Sequence, residues 1–461
     1  MYNIRVENLT DTIAAISTGT AGGAISIVRL SGNDAINIAD KMFIATNGKK
    51  PSSLPARYLQ LGKLEAEGFT EQAMCVTFVA PNSYTGQNMV EFQCHGGHKI
   101  ASGVLQKCLS LGARLATNGE FTKRAFVNGK ISLSAAEGMI DMINAESDSQ
   151  VRAGYNLLTG KLSKFASDAE AELVDILSEI EVSFDYPEET IEYITKAKVK
   201  DRLTLLAGKM SDILATASDG KIISTGINVL IVGKPNVGKS SLLNSLLAQD
   251  RALVTDIAGT TRDVVEGSLS LNGIKVNFVD TAGIHDTEDI VERLGVKKAK
   301  ELTSSADIII FVTDASSQNT AEDEQIYSLV KDKNYISVIN KADVLGENGK
   351  KQKYGKSGQN TITISAKTGQ GISELKQEII SRFNSPNLSG DGVVLTNERH
   401  KQALLSALQN INSALAGLQD NPLDLVAIDI KLAYTALGEI TGTTTGEDII
   451  DAIFSKFCLG K

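Results

Sequence analysis

Tryptophan is absent from the chain, and cysteine occurs only four times, at Cys75, Cys94, Cys108 and Cys458, never in C-x-x-C spacing. That excludes a disulfide framework and fits a reducing compartment. Long apolar runs are also missing. Nothing approaches the ~18 residues of a membrane span; the best run, Ile308 to Val312, has the length of a buried strand. An excess of positive charge is missing as well: Lys plus Arg is 46 against 55 for Asp plus Glu, a net charge of −9. Phosphate contacts need clustered cations, so the chain is a poor stand-alone nucleic-acid binder. A local basic patch or a basic partner would have to bring nucleic acid in. The opening MYNIRVENLT carries both signs of charge and no apolar core, unlike a signal peptide or an Arg-rich transit sequence. The expectation is a cytoplasmic protein with no membrane segment.

The rest of the composition is ordinary for a globular protein: 461 residues, 42% hydrophobic and 22% charged. At ~100–200 residues per domain, that length predicts two to four domains. Residues 1–118 read as mixed α/β, with strand-like runs at Ile25–Leu30, Gln72–Val79 and Val90–Cys94. After Gly119 the texture turns helical. Leu173, Ile176, Leu177, Ile180 and Phe184 share one helical face that Pro187 ends, and Leu203, Leu206, Met210 and Leu214 share another. Between about 221 and 383, continuous apolar strands alternate with helical segments: Val229–Val232, Val276–Val279, Ile308–Val312, Ile336–Ile339 and Thr361–Ile364. Such strands are buried on both faces, which implies a mostly parallel sheet with crossover helices. Asn272-Gly273 predicts a two-residue hairpin that adds one antiparallel edge strand. Past a loop at Asn384–Asp391, Leu404, Leu408, Ile411, Leu415 and Leu418 form another helical stripe. The fold class expected is therefore α/β combined with all-α: an N-terminal α/β domain (1–118), a helical domain (119–220 with 384–461), and an α/β domain (221–383) inserted into it.

The inserted segment carries the chemistry. Gly233-Lys234-Pro235-Asn236-Val237-Gly238-Lys239-Ser240 matches G-x-x-x-x-G-K-[ST], follows the strand INVLIV and opens the helical run SSLLNSLLA that begins with Ser240 and Ser241. Glycines let such a loop fold around phosphate, and N–H groups at the helix start bind its charge. Lys239 is expected at the β- and γ-phosphates and Ser240 at Mg²⁺. Asp280-Thr281-Ala282-Gly283 ends the next strand; its Asp can hold Mg²⁺ through water and the Gly283 N–H can sense a γ-phosphate. Asn340-Lys341-Ala342-Asp343 ends YISVIN. The Asp343 carboxylate can accept from guanine N1–H and the 2-amino group, neither of which adenine offers, and Lys341 would lie flat on the base. Ser365-Ala366-Lys367 can close over the guanine oxygen. This order, each motif at a strand end, identifies a GTPase of the Ras-like α/β type.

Thr255-Asp256-Ile257-Ala258-Gly259-Thr260-Thr261 occupies the first switch position, with Thr261 expected on Mg²⁺. A Ras-type switch carries a water-orienting Gln directly after DTAG. Here that position is Ile284, which can neither donate nor accept. Two residues could compensate: Asn236 by coordinating a monovalent cation between phosphates, and Glu292 by orienting water.

GKPNVGKSSLLN, TDIAGTTRD, DTAG, VERLG and the ending Phe457-Cys458-Leu459-Gly460-Lys461 together resemble the tRNA-modifying GTPase family MnmE (TrmE), and IVRLSG, NSYTG, CHGGH, NGEFTKRAFVNGK and LSAAEG extend the resemblance over the whole chain. The resemblance implies dimers joined through a folate-binding-like N-terminal domain that holds 5-formyl-tetrahydrofolate or a related tetrahydrofolate. It also implies a K⁺-stimulated GTPase whose G domains pair during hydrolysis. With an FAD-containing partner, MnmG (GidA), in an expected heterotetramer, the family installs an aminomethyl-type group at C5 of a tRNA wobble uridine. Carried over by position, Asn236, Thr255, Ile257 and Thr260 match the K⁺ contacts, Ser240 and Thr261 the Mg²⁺ ligands, and Glu292 the water-orienting Glu. Arg29, Glu91, Lys130 and Lys461 match the folate contacts, and the Cys458 thiol beside Lys461 is either a nucleophile or one-carbon carrier there or a small packing residue. His285 departs from the Arg of some relatives. TDIAGTTRD alone is shared with other translation-linked GTPases, so a ribosome-assembly or translation switch without RNA-modifying chemistry is the alternative; a folate one-carbon transferase regulated by its G domain is another. Cys94-His95-Gly-Gly-His98 mimics a metal cluster but lacks a fourth ligand.

Overall fold

A computed structural model of the chain describes residues 9, 11–19, 23–185, 195–248, 267–280, 303–317, 320–344, 361–383 and 392–461. Two compact units emerge. One comprises Met1–Ile143, Gly154–Ser211 and Arg399–Lys461; the other comprises Asn144–Ala153 and Asp212–Glu398.

The first unit contains a seven-stranded sheet: β1 (Ile13–Ile16), β2 (Ile25–Ser31), β3 (Phe43–Ala45), β4 (Gln60–Ala66), β5 (Phe69–Phe78), β6 (Met89–His95) and β7 (Arg114–Leu115), in the spatial order β3-β4-β5-β6-β2-β1-β7. The strand expected from Gln72 begins three residues earlier, at Phe69. Its partner β4 was not evident from hydrophobicity, because QLGKLEA buries only every second residue. Val28, Leu30, Leu64, Phe92, Val104 and Cys108 form the core of this sheet with the helices Ala35–Met42 and His98–Ser110. The alternation that buries Val28 and Leu30 turns Arg29 to the opposite face. Arg29 and Glu91 are direct cross-strand partners, so the register brings them together.

The same unit contains the long helices Lys161–Asp185 and Leu423–Thr441 and all but the end residues of Lys196–Leu214 and Glu398–Asp420. Leu173, Ile176 and Ile180 are buried as their spacing predicts, Leu177 is half-buried, and Pro187 and the Phe184 side chain lie outside the described residues. In Glu398–Asp420 the buried seam is Leu404, Ala407, Ile411, Ala414 and Leu418, whereas Leu408 and Leu415 sit at its half-buried edge. The alanines were missed because small side chains contribute little to a hydrophobic pattern, yet they allow close helix packing.

The second unit is built on a six-stranded sheet: β8 (Ile227–Val232), β9 (Gly267–Leu271), β10 (Ile274–Asp280), β11 (Ile308–Asp314), β12 (Tyr335–Asn340) and β13 (Thr361–Thr363), in the order β13-β12-β11-β8-β10-β9. All neighbours are parallel except β9 and β10. β12 is buried at every position and β11 at all but its last, as continuous apolar runs require. The expected hairpin is present, with Asn272 at φ 49° and Gly273 at φ 78°, the paired positive angles of a type I′ turn. β8 lies between β10 and β11, so successive connections leave it in opposite directions. Such a switch point opens a crevice at the strands' C-terminal ends.

Candidate functional site

Every described motif of the second unit falls at that edge of the sheet. Gly233 follows β8, Asp280 ends β10, Asp314 ends β11, Asn340 ends β12 and Ser365 follows β13. The loop from Gly233 to Gly238 leads into the helix Lys239–Ala248. A Cβ on Gly233 would lie 2.4 Å from the Val312 carbonyl, and one on Gly238 would lie 2.4 Å from Asn340 Nδ2. Gly238 also holds φ 93°. Both positions therefore demand glycine, the second for two reasons. Asn236 carries φ 63°, in the left-handed region that asparagine tolerates better than most residues. Val237 is buried, while Ser240 and Ser241 are exposed on the first turn of the helix. Lys239 Nζ donates to Gly233 O at 2.9 Å and Lys234 O at 3.0 Å, which holds its ammonium over the loop.

The base-recognition motifs are joined to this loop by hydrogen bonds. Asn340 Nδ2 donates to Val237 O at 2.9 Å, and Asn340 Oδ1 accepts from the Ala366 N–H at 3.0 Å. One side chain thus ties three strand ends together. Lys341, at φ 65°, donates from Nζ to Asn236 O at 2.8 Å and to Asp314 Oδ2 at 2.6 Å. Asp343 accepts from Ser365 Oγ at 2.6 Å. That hydrogen bond, aided by Lys367 and Lys341, holds the Asp343 carboxyl below its ordinary range. An ionised, acceptor-only carboxylate is the form that guanine recognition needs.

Asp314 was missed in the sequence. Burial would raise its carboxyl, but hydrogen bonds from Lys341 and Ser316 outweigh that and keep it low. The signal was available: an Asp closing the apolar strand IIIFVTD stands where the Asp of DTAG and the Asn of NKAD stand. Thr255, Asp256, Ile257, Ala258, Gly259, Thr260, Thr261, Thr281, Ala282, Gly283, Ile284 and Glu292 lie outside the described residues, as does the Asp280 side chain.

In the first unit, Arg29 Nε donates to Glu91 Oε1 at 2.8 Å, and the guanidinium lies 5.9 Å from the Tyr84 ring centre and 5.7 Å from that of Phe121. The C-terminal tail joins them. Gly460 O accepts from Ser17 Oγ at 3.0 Å and from Arg29 at 3.4 Å, while Lys461 O accepts from the Phe121 N–H at 3.2 Å. Gly460, at φ 88°, would press a Cβ to 2.3 Å from Ile16 O. Arg29, Glu91 and the tail bearing Lys461 and exposed Cys458 thus meet at one place. Lys130 instead donates to Pro81 O at 3.0 Å, against the loop that carries Tyr84. A charged pair framed by two aromatic rings suits a flat, polar-edged heterocycle with an anionic tail. Cys94 is buried, with its thiol pushed up to about 11, and His95 pairs with Glu71, which suits neither to a metal. Among the described residues no cluster of three metal-ligating side chains occurs.

A parallel sheet whose strand ends carry this phosphate loop and this guanine-reading set defines a P-loop GTPase. The family model described as "MnmE helical domain" matches residues 133–458, and "GTP-binding protein TrmE N-terminus" matches residues 12–130. Proteins named "tRNA modification GTPase MnmE" from Clostridioides difficile (strain 630) and Bacillus mycoides (strain KBAB4) are 43% and 42% identical to it, each over 98% of this chain and over 100% and 99% of their own lengths. The chain belongs to the tRNA modification GTPase MnmE family. Among solved structures, the G domain of the T. maritima FeoB iron transporter is 26% identical, spanning 34% of this chain and 99% of that one at a TM-score of 0.26.

Proposed function

We propose that this GTPase is K⁺-stimulated and works with an FAD-containing partner. Together they install an aminomethyl or carboxymethylaminomethyl group at C5 of the wobble uridine of certain tRNAs. The observation that carries the reading is the end-to-end match to MnmE proteins, over 98% of this chain and 100% of the Clostridioides difficile relative. With proposed domains 1–118, 119–220 with 384–461, and 221–383, the phosphate loop belongs to the last and the Arg29–Glu91 pair to the first, and these are the two binding functions this chemistry needs.

Within the nucleotide site, Lys239 and the N–H groups at the start of its helix bind the phosphates, and Asp343 with Lys341 selects and covers guanine. Ser240 and Thr261 supply hard oxygen donors suited to Mg²⁺. Asn236, Thr255, Ile257 and Thr260 supply the oxygens for potassium, whose charge when bound offsets the negative charge that develops on the phosphates. The exposed, left-handed Asn236 in the middle of the phosphate loop fits a cation ligand. Glu292 orients water in place of the missing Gln. In the first unit, Arg29, Glu91, Lys130 and Lys461 hold a tetrahydrofolate, which supplies the one-carbon unit when bound. The protein works as a homodimer through its N-terminal domain, and a more basic partner holds most of the tRNA, consistent with the net charge of −9.

Nucleoside mass spectrometry of tRNA from a deletion strain tests the whole reading. Loss of the C5 substituent is expected; normal wobble uridines would eliminate it. Two variants test the hydrolysis step. Glu292→Ala should keep GTP affinity within about twofold and lower turnover by about 10²–10⁴-fold, the range of a general base; near-normal hydrolysis in a single-turnover assay clears Glu292. Asn236→Ala should equalise the rates in KCl and NaCl, and a persisting K⁺ preference would move the cation elsewhere.

A further inference from the structure

We propose that Asp323 is a positioning residue for the phosphate-binding lysine, acting through the side chain and carbonyl of Lys234. Lys234 faces two ways. Its carbonyl accepts from Lys239 Nζ at 3.0 Å, so the place of residue 234 helps set where the Lys239 ammonium sits. Its own Nζ donates to Asp323 Oδ2 at 2.8 Å. Asp323 belongs to the first turn of the helix Ala321–Val330, which follows β11, and is 1% exposed.

The carboxylate is itself locked. Oδ2 accepts from the Thr320 N–H and from Thr320 Oγ, both at 2.9 Å, while the Thr320 hydroxyl caps the Asp323 N–H in a reciprocal capping box. An acid serving only as a cap needs no third donor, and here Lys234 supplies one on the same oxygen. Among the described residues Oδ1 is buried without a hydrogen-bond partner. Burial of a carboxylate with one orphaned oxygen is costly. It persists here opposite a cation that belongs to the phosphate loop. The ion pair thus joins the loop to a rigid helix rather than to solvent, and a lysine held at two carbonyls of that loop inherits the constraint. Pre-aligned donors lose less on binding than donors that must first be ordered.

The inference rests on Lys239 meeting the β-phosphate, as proposed above, so the test compares GDP with GMP, which lacks that phosphate. Affinities of the full-length protein are measured by calorimetry for GDP and by NMR titration for GMP. In Lys234→Met, GDP affinity should fall about tenfold while GMP affinity stays within about twofold, and Lys234→Arg, which keeps the charge, should recover most of the GDP:GMP ratio. The double variant Lys234→Met/Asp323→Asn, which leaves no unpaired buried charge, should show the same reduced ratio. A merely structural ion pair would lower both affinities by one factor; that result, or an unchanged ratio in both variants, overturns the proposal. Lys239→Ala separates the premise: an intact ratio there removes the phosphate reading and the proposal with it, whereas a collapsed ratio there beside an intact one in the Lys234 and Asp323 variants overturns the proposal alone.

Discussion

Asp343→Asn is expected to shift base preference from guanine to xanthine, with GTP affinity falling by on the order of 10²–10⁴-fold. Two hydrogen bonds from guanine to a charged acceptor are each worth about 1.5–3 kcal/mol, and an amide at that position presents a donor where one acceptor stood. Xanthine carries a carbonyl in place of the 2-amino group and so matches the amide. The surroundings make the variant clean. Asp343 is exposed and its neighbour bond comes from Ser365 Oγ, which an amide oxygen can still accept. The loop connections through Asn340 to Val237 and Ala366 do not involve Asp343. Competition of GTP and XTP against one labelled nucleotide reads both affinities in the same protein. Undiminished preference for GTP would refute Asp343 as the reader of the base.

The phosphate loop, NKAD and SAK, the nucleotide motifs that fall among the described residues, stand at strand ends as the sequence suggests, because each is a local run. Each motif is a short run that turns out of a buried strand, and burial on both faces makes such strands conspicuous. The hairpin at Asn272-Gly273 was legible for a similar reason, since few dipeptides adopt two positive φ values. What escaped depends on long-range partners. Asp314 gains its role from Lys341, 27 positions later, and Asp323 from Lys234, 89 positions earlier. Neither spacing leaves a periodic trace. Arg29 and Glu91 show the same difficulty. Composition alone makes each a surface charge, and only the β2–β6 register makes them a pair. The family resemblance pointed to both residues, but their pairing is a property of the folded sheet.

The helical core holds a cluster that no pattern announced, and it carries the second large effect. Glu137, within LSAAEG, accepts from Arg399 Nε at 3.0 Å, from Arg399 Nη2 at 2.5 Å and from His400 Nε2 at 2.7 Å. Arg399 also donates to the Glu439 carbonyl, so the cluster clamps the helices Leu133–Ile143, Glu398–Asp420 and Leu423–Thr441. His400 is fully buried, and its Nδ1 has no partner among the described residues. Burial alone would raise Glu137; hydrogen bonds from His400 and Arg399 overcome it and hold the carboxyl down to about 2. Its folded value therefore lies below its unfolded one. The resulting stability is present in full above an unfolded value near 4.5 and is lost as pH falls through about 2. A shift of that size corresponds to about 3 kcal/mol. Removing one member of a buried ion pair strands the other, at about 3–5 kcal/mol. Glu137→Gln should accordingly destabilise the unit that contains it by that amount at neutral pH, read by urea unfolding with circular dichroism. The deficit relative to wild type should shrink steadily as the pH is lowered from about 5 toward 2, because in the wild type alone the unfolded chain then binds a proton that the folded Glu137 carboxylate still excludes. A deficit that stayed constant across that window would assign the cost to packing rather than charge, and no deficit at neutral pH would mean that the three helices are held without the clamp.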